Sequence, residues 1–130
     1  MGVAETYEEM IMTKHAVGHV EFSATDLERS RAFYQGLFEW SFRSFGDEYL
    51  FFEGPGGLAG GLMKVKQVHP GQSSIVYIEV DELEPYLEKV GALGGSVVND
   101  RTPVADMGSF AHIADPDGNV VGLWEGKKSE

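Results

Sequence analysis

The chain contains no cysteine, and this absence removes several kinds of chemistry. Disulfides, thiolate nucleophiles and cysteine-ligated zinc or iron–sulfur centres all need the missing side chain. Basic side chains are also scarce, since 10 Lys and Arg stand against 21 Asp and Glu and give a formal net charge of −11. Nucleic acids and anionic membranes are bound through clustered basic residues, so neither is expected as a partner. The acidic balance mildly favours neutral or cationic ligands.

Long apolar runs are missing as well, so the sequence predicts no membrane-spanning segment. The first twenty residues include Glu5, Glu8 and Glu9 and lack the basic-then-apolar order of a secretory signal. We therefore expect a cytoplasmic protein. A length of 130 residues suits one domain with a hydrophobic core. We place that domain at residues 15–126, between an N-terminal tail, 1–14, and a C-terminal tail, 127–130.

Periodicity predicts a strand followed by a helix at the start of this domain. Residues 16–23 alternate in polarity as a strand does, and Thr25 with Glu28 forms the signature of a helix capping box. Apolar side chains then recur at helical spacing and predict a helix that lays one face on a sheet. The members of this predicted core face are Leu27, Ser30, Phe33, Tyr34, Leu37 and Phe38.

The two halves of the domain resemble each other. One alignment pairs Leu27 with Leu83 where a strand runs into a helix, and a second pairs Gly61 with Gly122 in a closing strand. Each half thus reads as one strand, one helix and three strands, in modules 15–65 and 74–126. The predicted fold is α+β, with two βαβββ modules paired into a partly open, cleft-containing barrel.

Three motifs carry a resemblance to a known superfamily. They are DLER at 26–29, FYQGLFEW at 33–40 and DPDGNVVGLWE at 115–125. Together they are similar to the vicinal oxygen chelate superfamily of glyoxalases, bleomycin-resistance proteins and dioxygenases, in the subgroup of predicted enzymes related to lactoylglutathione lyase. One departure is Glu39, where the helix usually exits through Phe-Gly-Trp. The resemblance implies the paired-module fold and a homodimer.

The resemblance also implies where a metal would bind. Metal-dependent members use four side chains, typically His, Glu or Gln, from the first and fourth strands of both modules. Those positions fall here on His19, Gly61, Ile75 and Gly122, and only the first can donate to a metal. No metal or other cofactor is therefore expected, and a divalent ion is disfavoured. A shifted site is the alternative, with His19 and Glu21 on one strand face and His112 as a third ligand.

Strand alternation predicts which side chains line the cleft. The expected ligand-binding residues are His19, Glu21, Gly61, Met63, Ile75, Tyr77, Gly122 and Trp124. Tyr77 and Trp124 would stack on a small organic molecule, and the glycines would let it approach the backbone. His19 and Glu21 would either hydrogen-bond the ligand or act as a catalytic acid–base pair.

Four functions fit these features. The first is a protein that binds a small organic molecule without a metal, as the resistance proteins do. The second is a metal-free enzyme that uses His19 and Glu21, and the third is a metal-dependent lyase, isomerase or dioxygenase. The fourth is an interaction module whose cleft is filled by its own side chains. The sequence leaves open whether the protein is an enzyme.

Overall fold

The computed structural model of the protein describes residues 14–57 and 59–127, with only the backbone of Ala59. The predicted tails therefore lie outside the described residues except for Lys14 and Lys127. The described chain forms two compact units, one at Gly18–Val76 and one that runs from Tyr77 and includes residues 14–17. The predicted domain limits, 15 and 126, stay a prediction.

The first unit has the order strand, helix and three strands. Its elements are β1 (Val17–Ala24), α1 (Leu27–Phe38), β2 (Ser41–Ser44), β3 (Tyr49–Glu53) and β4 (Ala59–Lys64). The strands are arranged β2-β3-β4-β1 in the sheet. β1 and β4 are parallel, whereas β3 is antiparallel to both β2 and β4. The two strands whose residues define the family's metal positions are therefore neighbours.

The second unit repeats this order. Its elements are β5 (Ser74–Val80), which enters this unit at Tyr77, α2 (Leu83–Lys89), β6 (Ser96–Val104), β7 (Gly108–Ala114) and β8 (Val120–Gly126). The strands are arranged β5-β8-β7-β6, with β5 and β8 parallel and the other pairs antiparallel. The predicted α+β class with two βαβββ modules is confirmed, and neither sheet closes on itself.

The start of α1 differs from the predicted capping box. Asp26, not Thr25, is the N-cap residue, and its carboxylate accepts a hydrogen bond from the Arg29 backbone N–H at 3.0 Å. A short side-chain oxygen at this position satisfies an amide that the helix itself leaves without a partner. The prediction was one residue early because Thr25 and Asp26 are both good cap residues.

The end of α1 explains the unusual residue of the helix exit. Glu39 has a φ of 61° and lies in the left-handed region, where its N–H closes the helix on the Gln35 carbonyl. This backbone conformation suits glycine because a Cβ is crowded there. The helix therefore ends in the usual manner with an unfavourable residue.

Aromatic rings join α1 to its sheet. The rings of Trp40 and Phe52 stack with centroids 4.5 Å apart, and Tyr34 stacks on both Trp40 and Phe22 at 5.4 and 5.8 Å. Phe33, Leu37 and Phe38 remain 58%, 60% and 49% exposed, so their predicted place in the core is wrong. The sheet covers the side of the helix that carries Tyr34 and leaves the neighbouring apolar stripe in solvent.

The second unit buries its core between α2 and one face of its sheet. Val80, Leu83, Ala111 and Leu123 are buried there, with Ile78, Tyr86, Leu87 and Ile113 packed against them. The carboxylate of Glu125 accepts the Leu83 backbone N–H at 2.9 Å and pairs with Arg101, which fastens the start of α2 to β8. Because side chains alternate along a strand, the other face of this sheet carries Tyr77, His112 and Trp124.

None of the helices within residues 14–57 and 59–127 combines the length and the hydrophobicity that a bilayer crossing requires.

Candidate functional site

Polar side chains gather on the sheet face of the first unit that points away from α1. Phe22 packs against Tyr34 of the helix, so its strand neighbours Glu21 and Ser23 point to the opposite face. His19 lies on that face too, two residues from Glu21. The predicted placement of His19 and Glu21 on one face of β1 is therefore correct.

A tyrosine joins these two residues. The hydroxyl of Tyr49 on β3 lies 2.8 Å from His19 Nε2 and donates a hydrogen bond to Glu21 Oε1 at 3.0 Å. We call these three residues the His19 cluster. The Phe51 ring packs beside it, with its centroid 6.1 Å from that of His19 and 5.2 Å from that of Tyr49. The cluster thus combines three polar groups with an aromatic wall.

The hydrogen bonds of the His19 cluster allow two arrangements of its protons. When Glu21 is ionised, the phenol gives its one proton to the carboxylate and accepts the Nε2–H of His19. When Glu21 is protonated, the carboxylic acid can donate to the phenol, which then donates to His19 Nε2. Tyr49 can therefore pass a proton between the carboxyl group and the imidazole.

Burial shifts both titrating groups of the cluster toward their uncharged forms. It raises the pKa of the Glu21 carboxyl, an effect that the hydrogen bond from Tyr49 opposes, and it lowers the pKa of His19. Removing a charged group from water disfavours the charge, whatever its sign. Both groups are thereby favoured in their neutral forms, in which the carboxylic acid can donate a proton toward the imidazole through Tyr49.

The Tyr49 ring depends on a glycine in the adjacent strand. Gly61 on β4 pairs in register with Glu21 on β1 and with Phe51 on β3. A Cβ built on Gly61 would overlap the phenol of Tyr49, so no larger residue fits beneath it without displacement. The sequence suggested that a ligand would approach the Gly61 backbone, and here the Tyr49 side chain takes that space.

A second tyrosine–histidine pair lies in the second unit. The Tyr77 ring covers Gly122, where an added Cβ would overlap it, and its hydroxyl lies 2.8 Å from His112 Nε2. The side-chain nitrogen of Asn99 lies 2.7 Å from His112 Nδ1. Burial lowers the pKa of His112. Both ring nitrogens of His112 thus have hydrogen-bond partners, and its role as a third metal ligand stays a prediction.

The structure groups the predicted site residues by unit. His19, Glu21 and Gly61 meet at Tyr49, and Met63 follows on the same strand face with 38% of its surface exposed. In the second unit Tyr77 meets Gly122, while Trp124 lies half-buried in register with Phe110. Ile75 is half-buried on β5.

The sequence interpretation missed Tyr49, Asn99 and the Tyr77–His112 bond. One signal for Tyr49 was present, because paired glycines at 60 and 61 leave room for large side chains from the neighbouring strand. Which aromatic ring occupies that space depends on the residue pairing between β3 and β4, which the sequence does not give.

The family's metal site does not fit the side chains found here. Three of its four positions, Gly61, Ile75 and Gly122, offer no donor atom, and tyrosine rings cover both glycines. Within the described parts of the chain, no group of three or more His, Asp or Glu side chains is placed to hold a metal ion. Catalytic metal sites usually have three protein ligands, so His19 and Glu21 alone fall short of one.

Comparisons with known proteins place this geometry in a family. Residues 16–123 match the model of the Glyoxalase/Bleomycin resistance protein/Dioxygenase superfamily. A Mycobacterium bovis protein named "Putative glyoxylase CFP32" is 28% identical over 117 residues, which are 84% of this chain and 45% of that protein. The chain thus spans about half the length of this curated relative. A "Glyoxylase-like domain-containing protein" of Didymella fabae is 29% identical, with 80% of this chain and 88% of the relative covered.

Solved structures share the fold at low identity. A hypothetical protein from Bacillus halodurans superimposes with a TM-score of 0.69 at 18% identity, covering 88% of this chain and 96% of its own. Methylmalonyl-CoA epimerase from Mycobacterium tuberculosis superimposes with a TM-score of 0.66 at 15% sequence identity, and the match covers 89% of this chain and 92% of the epimerase chain. Identities this low indicate a common fold and leave the activity open. With its βαβββ modules and the match over residues 16–123, the chain belongs to the glyoxalase/bleomycin resistance protein/dioxygenase superfamily.

Proposed function

We propose that the protein binds a small organic molecule at the His19 cluster and does so without the metal site of its superfamily. The observation that carries this proposal is the Tyr49 phenol above Gly61. The family places a metal-binding side chain at the position of Gly61, and here that space holds a hydroxyl bonded to His19 and Glu21. A hydrogen-bonding group thus lies where metal-dependent members have a metal-binding side chain.

The cluster is suited to an organic molecule that carries a carbonyl or hydroxyl oxygen. Its carboxyl, phenol and imidazole groups can donate or accept hydrogen bonds, and the Phe51 ring provides an apolar surface beside them. Small-molecule sites commonly combine a few fixed polar groups with aromatic walls. Met63, partly exposed on the same strand face, adds an adaptable apolar contact.

A metal-free enzyme is the second candidate, and the hydrogen-bonded order His19–Tyr49–Glu21 favours it. In this candidate, the Glu21 carboxylate removes a proton from the carbon beside a ligand carbonyl and passes it through the Tyr49 hydroxyl to the neutral His19 imidazole. The resulting imidazolium then returns that proton to the ligand carbon, which restores both side chains. The opposite pKa shifts of His19 and Glu21 support such an exchange. One of the solved neighbours is named a methylmalonyl-CoA epimerase. That similarity concerns the fold, so the activity is a proposal for this chain.

The test of binding is a thermal-shift screen of small oxygen-containing organic molecules, followed by titration of each hit. We expect Glu21→Gln and Tyr49→Phe to weaken binding of every hit at this site by roughly tenfold or more, as for loss of a buried hydrogen-bonding partner. The matched control is Glu53→Gln, on the exposed end of β3. Equal affinities for wild type and both cluster variants would contradict the proposed site.

Turnover distinguishes the two candidates. A binding protein holds its ligand unchanged at one equivalent per chain, whereas the enzyme exchanges the ligand's carbon-bound proton with deuterium from solvent. In the second case Glu21→Gln should abolish exchange. Exchange that survives Glu21→Gln and His19→Ala would rule out the acid–base candidate and leave the binding proposal intact.

A further inference from the structure

We propose that Arg43 binds the carboxylate of the ligand, so that the protein selects small organic acids. This inference rests on the proposed binding at the His19 cluster and names the class of molecule that binds there. It assigns a function to a residue on the edge strand β2, which the sequence did not single out.

Arg43 is held beside the His19 cluster by an aromatic ring. It pairs in register with Phe51 on the adjacent antiparallel strand, which places both side chains on one sheet face. The guanidinium carbon lies 5.4 Å from the centroid of the Phe51 ring. Since Phe51 also packs against His19 and Tyr49, one aromatic ring separates the cation from the cluster. A ligand lying along Phe51 would contact both.

Arg43 has no carboxylate partner in the described part of the chain. Two other arginines do have one, since Arg31 pairs with Glu28 and Arg101 pairs with Glu84 and Glu125. Acidic residues outnumber basic ones by 21 to 10, yet no described Asp or Glu lies within ion-pair distance of this guanidinium. Its five N–H donors therefore remain available to a carboxylate, which guanidinium can bind through two parallel hydrogen bonds.

The geometry defines the ligand by its two ends. One end is a carboxylate at Arg43, and the other is a carbonyl or hydroxyl oxygen at Tyr49, with an apolar or aromatic segment between them along Phe51. Aryl acids and short oxo- or hydroxy-acids have this form. The net charge of −11 alone favoured neutral or cationic ligands. A guanidinium in direct contact outweighs that distant charge because the surrounding salt solution screens it beyond about 10 Å.

The test compares an acid with its amide. The probes are 4-hydroxyphenylacetate and 4-hydroxyphenylacetamide, which match in size and differ in charge. Each probe is titrated into the full-length protein, and binding is followed by the NMR chemical shifts of the protein's backbone N–H groups. We expect wild type to bind the acid roughly tenfold more tightly than the amide, as a charge-assisted hydrogen-bonded pair would produce. Arg43→Gln should lower the affinity for the acid to that for the amide and leave the affinity for the amide unchanged. Arg43→Lys should keep part of the preference, because it keeps the charge and loses the planar fork.

The matched control is Arg29→Gln. Arg29 also lacks a described carboxylate partner, but its guanidinium bonds Thr25 at the start of α1. This variant should bind both probes as wild type does. Equal affinity of wild type for acid and amide, an acid preference that survives Arg43→Gln, or no binding of the acid at about 10 mM would each overturn the inference.

The same titrations separate this inference from the proposed function. If Tyr49→Phe weakens the binding of both probes while Arg43→Gln weakens the binding of neither, the His19 cluster remains the binding site and Arg43 has no part in it. If Arg43→Gln weakens binding of the acid while Tyr49→Phe and Glu21→Gln leave both affinities unchanged, Arg43 binds the carboxylate as proposed and the proposed cluster is wrong.

Discussion

The phenol of Tyr49 occupies the space that any side chain on Gly61 would need. The two residues lie on adjacent antiparallel strands, and the missing Cβ lets the ring lie flat enough for its hydroxyl to reach His19 and Glu21. The glycine is therefore a requirement of the His19 cluster. In the second unit, Gly122 has the same relationship with Tyr77, whose hydroxyl reaches His112.

Gly61→Ala should break the His19 cluster. The added methyl group overlaps Tyr49, so the ring must move and lose its bonds to His19 and Glu21. We expect a loss of about 2 kcal/mol in the free energy of unfolding, typical of overpacking. Chemical denaturation measures this change. Gly36→Ala is the control, because nothing lies within 4 Å of its Cβ and alanine should stabilise α1 by about 0.5–1 kcal/mol. Equal stability of Gly61→Ala and wild type would show that Tyr49 adapts freely.

Tyr49→Phe removes the shared hydroxyl and keeps the ring. Because the hydrogen bond from Tyr49 lowers the Glu21 pKa against the effect of burial, its loss should raise that pKa further. Carboxyl carbon NMR of selectively labelled protein measures the change. Stability should fall by about 1–3 kcal/mol as partly buried partners lose a bond. Tyr34→Phe is the control, since its ring packs among aromatics and its hydroxyl has no hydrogen bond to the described residues. An unchanged Glu21 pKa in Tyr49→Phe would contradict the geometry.

Glu21 should make stability depend on pH. Its folded-state pKa lies above the ordinary value of 4.5, so the folded protein holds this proton more tightly than the unfolded chain does. The resulting contribution to stability is fully present below 4.5 and is lost as pH rises through the folded-state pKa. Relative to wild type, Glu21→Gln should therefore gain stability as pH rises through that window. Denaturation curves at a series of pH values test this, and a parallel pH dependence of the two proteins would refute it.

Glu39→Gly should stabilise the protein by about 1 kcal/mol, since a residue with a Cβ is strained in the left-handed region. Glu39 has a φ of 61° at the end of α1, a backbone conformation that glycine adopts without strain. The thermal midpoint should rise, and ligand affinity should not change because Glu39 lies at the end of α1, outside the His19 cluster. As a control, Glu53→Gly, in a strand, should destabilise. A lower midpoint for Glu39→Gly would show that the Glu39 side chain makes a compensating contact.

The fold was predictable from the sequence because its three signals are local or repeated. Strand alternation, the helical spacing after Asp26 and the similarity of the two halves required no knowledge of tertiary contacts. The same local signals overestimated the burial of Phe33 and Leu37, because periodicity identifies an apolar stripe and cannot show how much of it the sheet covers.

The candidate site was predictable only in part. Alternation placed His19 and Glu21 on one face, but the hydroxyl that joins them comes from another strand, thirty residues from His19. Likewise, His112 was visible as a potential ligand, while its bonds to Tyr77 and Asn99 depend on the pairing of four strands, β5, β8, β7 and β6. Contacts of this kind follow from strand register, which the sequence of one chain does not specify at single-residue precision.

Elemental analysis of the purified protein tests the central claim most directly. The untagged protein would be incubated with zinc, nickel, manganese or iron, desalted and measured beside His19→Ala. With Gly61, Ile75 and Gly122 at the family's ligand positions, we predict far less than one metal ion per chain and no difference between the two proteins. One ion per chain in wild type, lost in His19→Ala, would contradict the account and show that the His19 cluster rearranges to hold a metal.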